Sequence, residues 1–219
     1  MKKRHLILAF IVLFLILLSL LSLKFDAEIS EFISGIRNKI FDNFFLGVSF
    51  GSNLVIIFLF LTTLFFYSER KRRWIMPLWF TISLTFIIGF LLKIAIKRNR
   101  PFEEGIVSVA NVLFYEMIYN FNTWNFSFPS LQSMLAFSVL PFMSKEFRKF
   151  KYIWMIFAVC IAFSRVYFGL HYMSDVIFGG LIGYLIGYLV LITEEKYQFG
   201  MKTMQRMKLM RKIYNYIIF

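Results

Sequence analysis

The stretch IMPLWFTISLTFIIGFLLKIAI, residues 75–96, carries a single charged side chain, Lys93, among 22 positions. A helix crossing the hydrocarbon core of a bilayer needs about 20 mostly apolar residues, so this stretch reads as a transmembrane helix. Working outward, five further apolar runs stand at about 5–23, 46–67, 130–144, 152–168 and 174–193. The chain is 59% hydrophobic and 21% aromatic, with a mean hydropathy of +0.70, beyond the range of an ordinary soluble domain. These features predict an all-α, polytopic membrane protein with six spans. The first run exceeds the apolar region of a signal peptide, and SLKFDAE behind it is a weak cleavage pattern, so it reads as a retained span. No internal repeat or low-complexity linker divides the chain, which predicts one domain over 1–219. The lone cysteine, Cys160, falls inside the fifth span as an apolar filler and permits no intrachain disulfide.

The net charge of +13 is sorted by side. The N-terminal MKKRH, the loop ERKRRW, the loop KEFRKFK and the tail from Glu194 hold 17 of the 25 Lys and Arg residues. Positive charge gathers on cytoplasmic loops, so both termini are expected in the cytoplasm, in keeping with an even number of spans. The basic tail, 194–219, mixes charge with apolar residues and suits anionic lipid headgroups. No nucleic-acid-binding motif accompanies the charge, so the expected partner is the lipid bilayer and not nucleic acid. On the other side, residues 25–45 mix charges with Ile and Phe at near-helical spacing, which predicts a short interfacial helix. Residues 97–129 form the longest connection, and its aromatic segment VLFYEMIYNFNTWNF reads as a headgroup-level belt or lid.

Three short segments lie at span ends on this second side. KIAIKRNRP places Lys93 and Arg100 before Pro101, expected to end the helix. FPSLQS opens the fourth span with Pro129 and Ser130, and SRVYFGLHYMSD joins Arg165, at the close of the fifth span, to His171 and Asp175 at the start of the sixth. Three cations with many donors suit a phosphoryl group, which an Arg fork grips in bidentate fashion. Ser130 and the free N–H groups near Leu131 at a helix start add further anion donors. His171 and Asp175 are four apart and share a helix face, so the carboxylate can orient one ring nitrogen while the other attacks phosphorus. The only other histidine, His5, belongs to the far end of the first span, so a His-rich metal site is not expected, and no carboxylate cluster replaces it. Taken singly, each element has a plainer role: headgroup snorkelling for the basic cluster, a helix start for Ser130, dipole compensation for Asp175. For Lys97 and Arg98 the snorkelling role is retained, and Glu103, Glu104 and Glu116 read as solvated. The glycines of FGGLIGYLIG, at four-residue spacing, favour close helix packing.

In order and spacing, Lys93-x6-Arg100-Pro101, Pro129-Ser130-x-x-Ser133 and Ser164-Arg165-x5-His171-x3-Asp175 resemble the three signature motifs of the type 2 phosphatidic acid phosphatase (PAP2) family, related to the vanadium haloperoxidases. The first and third match in full. The resemblance implies a six-helix phosphatase for lipid phosphates or diphosphates that needs no metal and no cofactor. It implies His171 as the nucleophile forming a phosphohistidine, Asp175 as its orienting partner, and Lys93, Arg100, Ser130, Leu131 and Arg165 as the phosphate cradle.

The second motif departs from that pattern, since Gln132 stands where the family carries the histidine that protonates the leaving oxygen. A Gln amide donates hydrogen bonds but delivers no proton at ordinary pH, and general acid catalysis typically contributes about 10²–10⁴-fold. Three functions stay open at this point. One is a lipid phosphatase or diphosphatase using His171, with polyprenyl diphosphate, phosphatidate and phosphatidylglycerophosphate as candidate substrates. The second is a catalytically impaired or non-catalytic relative that binds or moves phospholipids. The third is a phosphatase or phosphotransferase for small esters, disfavoured by the apolar surround.

Overall fold

The computed structural model describes residues 2–108, 126–203 and 205–206. Every regular element among them is helical. Helix α1 spans Lys2–Gly35, α2 Lys39–Gly51, α3 Leu54–Phe66, α4 Ile75–Ile96, α5 Leu131–Ser138, α6 Leu140–Glu146, α7 Phe150–Tyr167 and α8 Met173–Tyr197, with a 3-10 turn at Arg72–Trp74 before α4. Arg72–Ile96, Phe150–Tyr167 and Met173–Tyr197 are each long and apolar enough to cross a membrane. The α2–α3 pair makes a fourth crossing if its two halves, bent by 61°, are taken as one span. The chain is a multi-pass membrane protein by these helices.

The element boundaries correct three expectations. No separate interfacial helix covers 25–45, because nothing stops α1 before Gly35; the chain turns at 36–38, and Asn38 caps α2 by accepting from the N–H groups of Ile40 and Phe41. The expected span 46–67 is broken after Gly51, where Asn53 starts α3 as a fresh cap on the Val55 N–H. The expected span 130–144 is split at Val139, since Pro141 has no N–H for the helical ladder and instead sits in the first turn of α6. The aromatic segment up to residue 125, with Glu116, and the tail at 204 and beyond 206 lie outside the described residues.

Helix α8 is the hub, packing against α1, α4, α5 and α7. Its glycines make the α5 contact possible. A Cβ at Gly183 would stand 2.0 Å from the Met134 carbonyl oxygen, one at Gly187 1.9 Å from that of Ser138, and one at Gly179 2.8 Å from that of Ser130. The seam expected from glycine spacing is therefore present, and it draws the backbone of α5 directly onto α8. Around it, one cluster centred on Leu61, Phe65, Trp74, Leu78, Met143 and Trp154 fills one end of the bundle. A second, with Ile33, Phe45, Val166, Tyr167, Leu170 and Val176, underlies the site. Helix α1 is inverted in polarity. Ser19, Ser22, Asp26 and Ser30 are buried along one face, whereas Phe14, Leu17, Leu21, Phe25 and Phe32 are exposed, as expected for a helix that meets lipid with its apolar side.

Candidate active site

The site lies where the ends of α4, α7 and the starts of α5 and α8 meet. Helix α4 does not run to Pro101; it stops at Lys97, which adopts a left-handed conformation (φ 51°) while its N–H closes on the Lys93 carbonyl. This early stop frees residues 97–100 to turn back across the bundle. Arg98 O then accepts from Ser127 N at 2.7 Å, joining the end of α4 to the approach of α5. On the other side Leu170 N and His171 N both reach back to Arg165 O, at 3.0 and 3.3 Å, so the loop from α7 folds tightly over its own last turn. Gly169 makes that fold possible with φ 75°, and a Cβ there would sit 2.8 Å from Val107.

The structure brings the sequence-predicted residues together. Lys93, Arg100, Arg165, Ser130, His171 and Asp175 are all buried, and Gln132 and Leu131 are half-buried. Lys93 Nζ donates to Phe126 O. Arg100 Nη1 donates to Leu170 O at 2.8 Å, and its backbone N–H donates to Glu103 Oε2 at 2.8 Å. Arg165 donates from Nε to Ser164 Oγ at 3.2 Å, from Nη1 to Gln132 Oε1 at 3.2 Å, and from Nη2 to Ser49 Oγ on α2. Ser130 is the N-cap of α5, its hydroxyl oxygen accepting from Ser133 Oγ at 3.0 Å, and its own N–H donates to Asp175 O at 3.2 Å. That last bond ties the start of α5 to the start of α8.

His171 and Asp175 face each other, but at 3.8 Å between Nδ1 and Oδ2 they are beyond hydrogen-bond reach. The Nδ1 atom is buried without a partner. Asp175 is occupied elsewhere: Oδ2 accepts from Tyr172 N at 2.8 Å and from Ser127 Oγ, and Oδ1 accepts from Arg98 Nη1 at 2.8 Å. Burial, then the Arg100 charge, with the Asp175 carboxylate pulling the other way, holds the His171 imidazole down to about 3, so it is neutral and available as a base or nucleophile. Burial likewise lowers Arg100 to about 10, still charged at neutral pH.

Arg98 corrects the snorkelling assignment, because it turns inward to a salt bridge with Asp26 at 2.7 Å as well as with Asp175. The glutamates of the loop are not simply solvated: Glu103 holds the Arg100 backbone, and Glu104 accepts from the Tyr172 hydroxyl at 2.7 Å. Burial and Glu104 both push that phenol upward, so it stays a donor. Sequence reasoning also missed Ser49, Ser127, Ser174 and Asp26. For Asp26 a signal existed, since Ser22, Asp26 and Ser30 repeat at four-residue spacing on one face of an otherwise apolar helix.

The PAP2 superfamily model matches residues 74–198, which include every residue of the three motifs. The chain belongs to this superfamily. Among curated PAP2-type relatives, phosphatidylglycerophosphatase B of Bacillus subtilis is 31% identical over 144 residues, 61% of this chain and 63% of that protein. The chain thus spans slightly under two thirds of that relative's length. Lipid A 4'-phosphatase of Porphyromonas gingivalis is 23% identical over 72% of this chain and 68% of its own. The crystal structure of the transmembrane PAP2-type phosphatidylglycerolphosphate phosphatase of Bacillus subtilis superposes with a TM-score of 0.64, covering 85% of this chain and 96% of that one, at 24% identity. The PAP2 helical core expected from the motifs is therefore the fold of this chain.

Proposed function

We propose that this PAP2 protein hydrolyses a membrane lipid phosphate or diphosphate through a phosphohistidine, without a metal ion. The observation that carries the reading is the gathering of buried Lys93 and Arg100 at a buried neutral His171 beside Asp175, with buried Arg165 next to Arg100. Cations brought out of water at one point demand an anion, and a phosphoryl group supplies charge and acceptor oxygens for the guanidinium donors. In the proposed reaction the Nε2 lone pair of His171 attacks phosphorus, the bond to the leaving oxygen breaks, and a water later cleaves the P–N bond. The imidazolium needs its Nδ1 proton held; closing the gap to Asp175 by about 0.8 Å makes that hydrogen bond. The two curated relatives described above bear names of lipid phosphatases, which supports a lipid phosphate as the substrate.

Gln132 narrows the substrate. Its side-chain oxygen is oriented toward Arg165 at 3.2 Å, and no acidic proton is present at that position. A lipid alcohol leaves as an alkoxide and needs a proton, whereas a polyprenyl phosphate leaving its diphosphate is a monoester with a second pKa of about 6 and departs without one. Polyprenyl diphosphate is therefore the favoured substrate, and phosphatidate or phosphatidylglycerophosphate would turn over slowly. We place both termini in the cytoplasm, from the sorting of basic residues, and the site on the extracytoplasmic side, with six crossings when α1 and the α5–α6 pair are counted as spans.

The test is phosphate release by the purified chain from a panel of polyprenyl and glycerolipid phosphates and diphosphates. Release from at least one lipid, abolished by His171→Ala and unaffected by chelator, is the expected result. Phospholipid binding without release from any member would favour the non-catalytic reading.

A further inference from the structure

Asp26 is a carboxylate on α1, outside the segment matched by the superfamily model, yet it is as buried as the motif residues. Four donors converge on it. Ser22 Oγ, one turn earlier, donates to Oδ1 at 3.1 Å, and Ser174 N donates to the same oxygen at 3.0 Å. Ser174 Oγ and Arg98 Nη2 both donate to Oδ2, the latter at 2.7 Å. A helix N-terminus leaves N–H groups unsatisfied, and the cap of α8, Tyr172, offers no short side-chain acceptor, so Asp26 supplies one from a different helix.

The other arm of Arg98 completes the arrangement. Its Nη1 donates to Asp175 Oδ1 at 2.8 Å and to Ser174 Oγ at 2.7 Å, and the guanidinium lies 3.9 Å from the centroid of the Tyr172 ring. A planar fork held by two carboxylates and one aromatic face has little freedom. Asp175 is consequently fixed from two directions that both originate at Asp26, through Arg98 and through the backbone at Ser174. We infer that Asp26 is a positioning residue for the reaction: with Arg98 it forms a clamp that sets the Asp175 carboxylate opposite His171, making α1 part of the catalytic unit. The inference rests on the proposed hydrolysis, and Asp26 and Arg98 act through Asp175 without contact to substrate.

The experiment uses the full chain in detergent micelles with dioctanoyl phosphatidate and farnesyl diphosphate as probes, comparing wild type with Asp26→Asn, Arg98→Gln and Arg98→Lys. Orthovanadate binding serves as a second readout, because this phosphate analogue probes the proposed cradle of Lys93, Arg100 and Arg165 without the chemical step. A misplacement near 1 Å costs up to about 100-fold in rate, so kcat should fall by about 10–100-fold in Asp26→Asn and Arg98→Gln. KM and the vanadate dissociation constant should stay within about threefold, since only transition-state geometry is altered. Arg98→Lys, which keeps the charge but loses the fork, should recover part of the loss. Wild-type kcat in both Asp26→Asn and Arg98→Gln overturns the clamp alone. A loss of kcat accompanied by equal loss of vanadate binding and a lowered unfolding temperature makes Asp26 a stabilising residue only, which also overturns it. Should wild type release no phosphate from either probe or from any lipid of the panel above, the proposed hydrolysis itself falls and takes the clamp with it.

Discussion

Replacing Gly183 by Ala puts a methyl group where the α5–α8 seam has no room for one. The new Cβ would lie 2.0 Å from the Met134 carbonyl oxygen and 2.7 Å from its carbonyl carbon and Cα, where Cβ atoms essentially never come within 3.0 Å. The obstacle is backbone, so no rotamer change relieves it, and the helices must part by about 1 Å. Overpacking of this kind costs about 1–3 kcal/mol of stability. The larger effect is expected on the chemistry. Gly183 stands eight residues beyond Asp175, about 12 Å along the helix at 1.5 Å per residue, and α5 carries Ser130 and Gln132 at its start. The Ser130 N–H to Asp175 O bond is already 3.2 Å, so half of that displacement breaks it. A 1 Å misplacement at a reacting centre costs about 10²-fold, so kcat/KM for phosphate release should fall by about that factor, measured beside thermal unfolding in the same detergent. Gly47→Ala is the control, because nothing lies within 4 Å of the added Cβ; it should match wild type. Wild-type turnover in Gly183→Ala would refute the claim that the glycine seam sets the site.

Gln132→His should raise kcat on lipid monophosphates by about 10²–10⁴-fold and on polyprenyl diphosphate far less; equal gains on both, measured as initial rates, would dissociate position 132 from leaving-group protonation. Arg165→Ala should weaken orthovanadate binding by about 1.5–3 kcal/mol, and unchanged affinity would remove Arg165 from the cradle. His171, held to about 3, stays neutral where an ordinary imidazole of pKa 6.5 takes a proton. In a His5→Gln background its imidazole NMR signal should not titrate between about pH 8 and 5. The unfolded chain does bind that proton below 6.5, so the His171 contribution to stability is complete above pH 6.5 and is lost as pH falls toward 3; a titration midpoint near 6.5 in the native protein would contradict the burial.

Much of the fold was legible because its signals are local. Apolar length identified 75–96, 152–168 and 174–193 as helices that survive with small shifts of boundary, and the glycine spacing at 179–187 foretold the seam. Breaks inside apolar runs were harder to read. The breaks at Gly51–Asn53 and Val139–Pro141 depend on caps and on one proline, which hydropathy averages away. The site showed the same division. Motif spacing brought forward Lys93, Arg100, Arg165, Ser130, His171 and Asp175, whereas Ser49 and Ser127 look like ordinary small residues until the chain folds around Arg165 and Asp175. Arg98 was misassigned for a physical reason: a basic residue at a membrane edge has two stable destinations, headgroups or a buried carboxylate, and only the position of Asp26, 72 residues away, decides between them.

Counted as one of the crossings proposed above, α1 would give the site a fixed depth in the bilayer, set by the length between its charged ends. From Leu6 to Phe25 the helix carries one charge, Lys24, and at 1.5 Å per residue those positions span about 30 Å, close to the thickness of a hydrocarbon core. Asp26 is pinned at one limit by Arg98 and Ser174, and MKKRH marks the other. A thicker or thinner membrane creates hydrophobic mismatch, which an unrestrained helix relieves by tilting. Here tilt of α1 pulls on the pair that orients Asp175. Turnover in reconstituted vesicles should therefore pass through an optimum as acyl chain length is varied, linking the rate of a surface reaction to the width of the lipid layer beneath it.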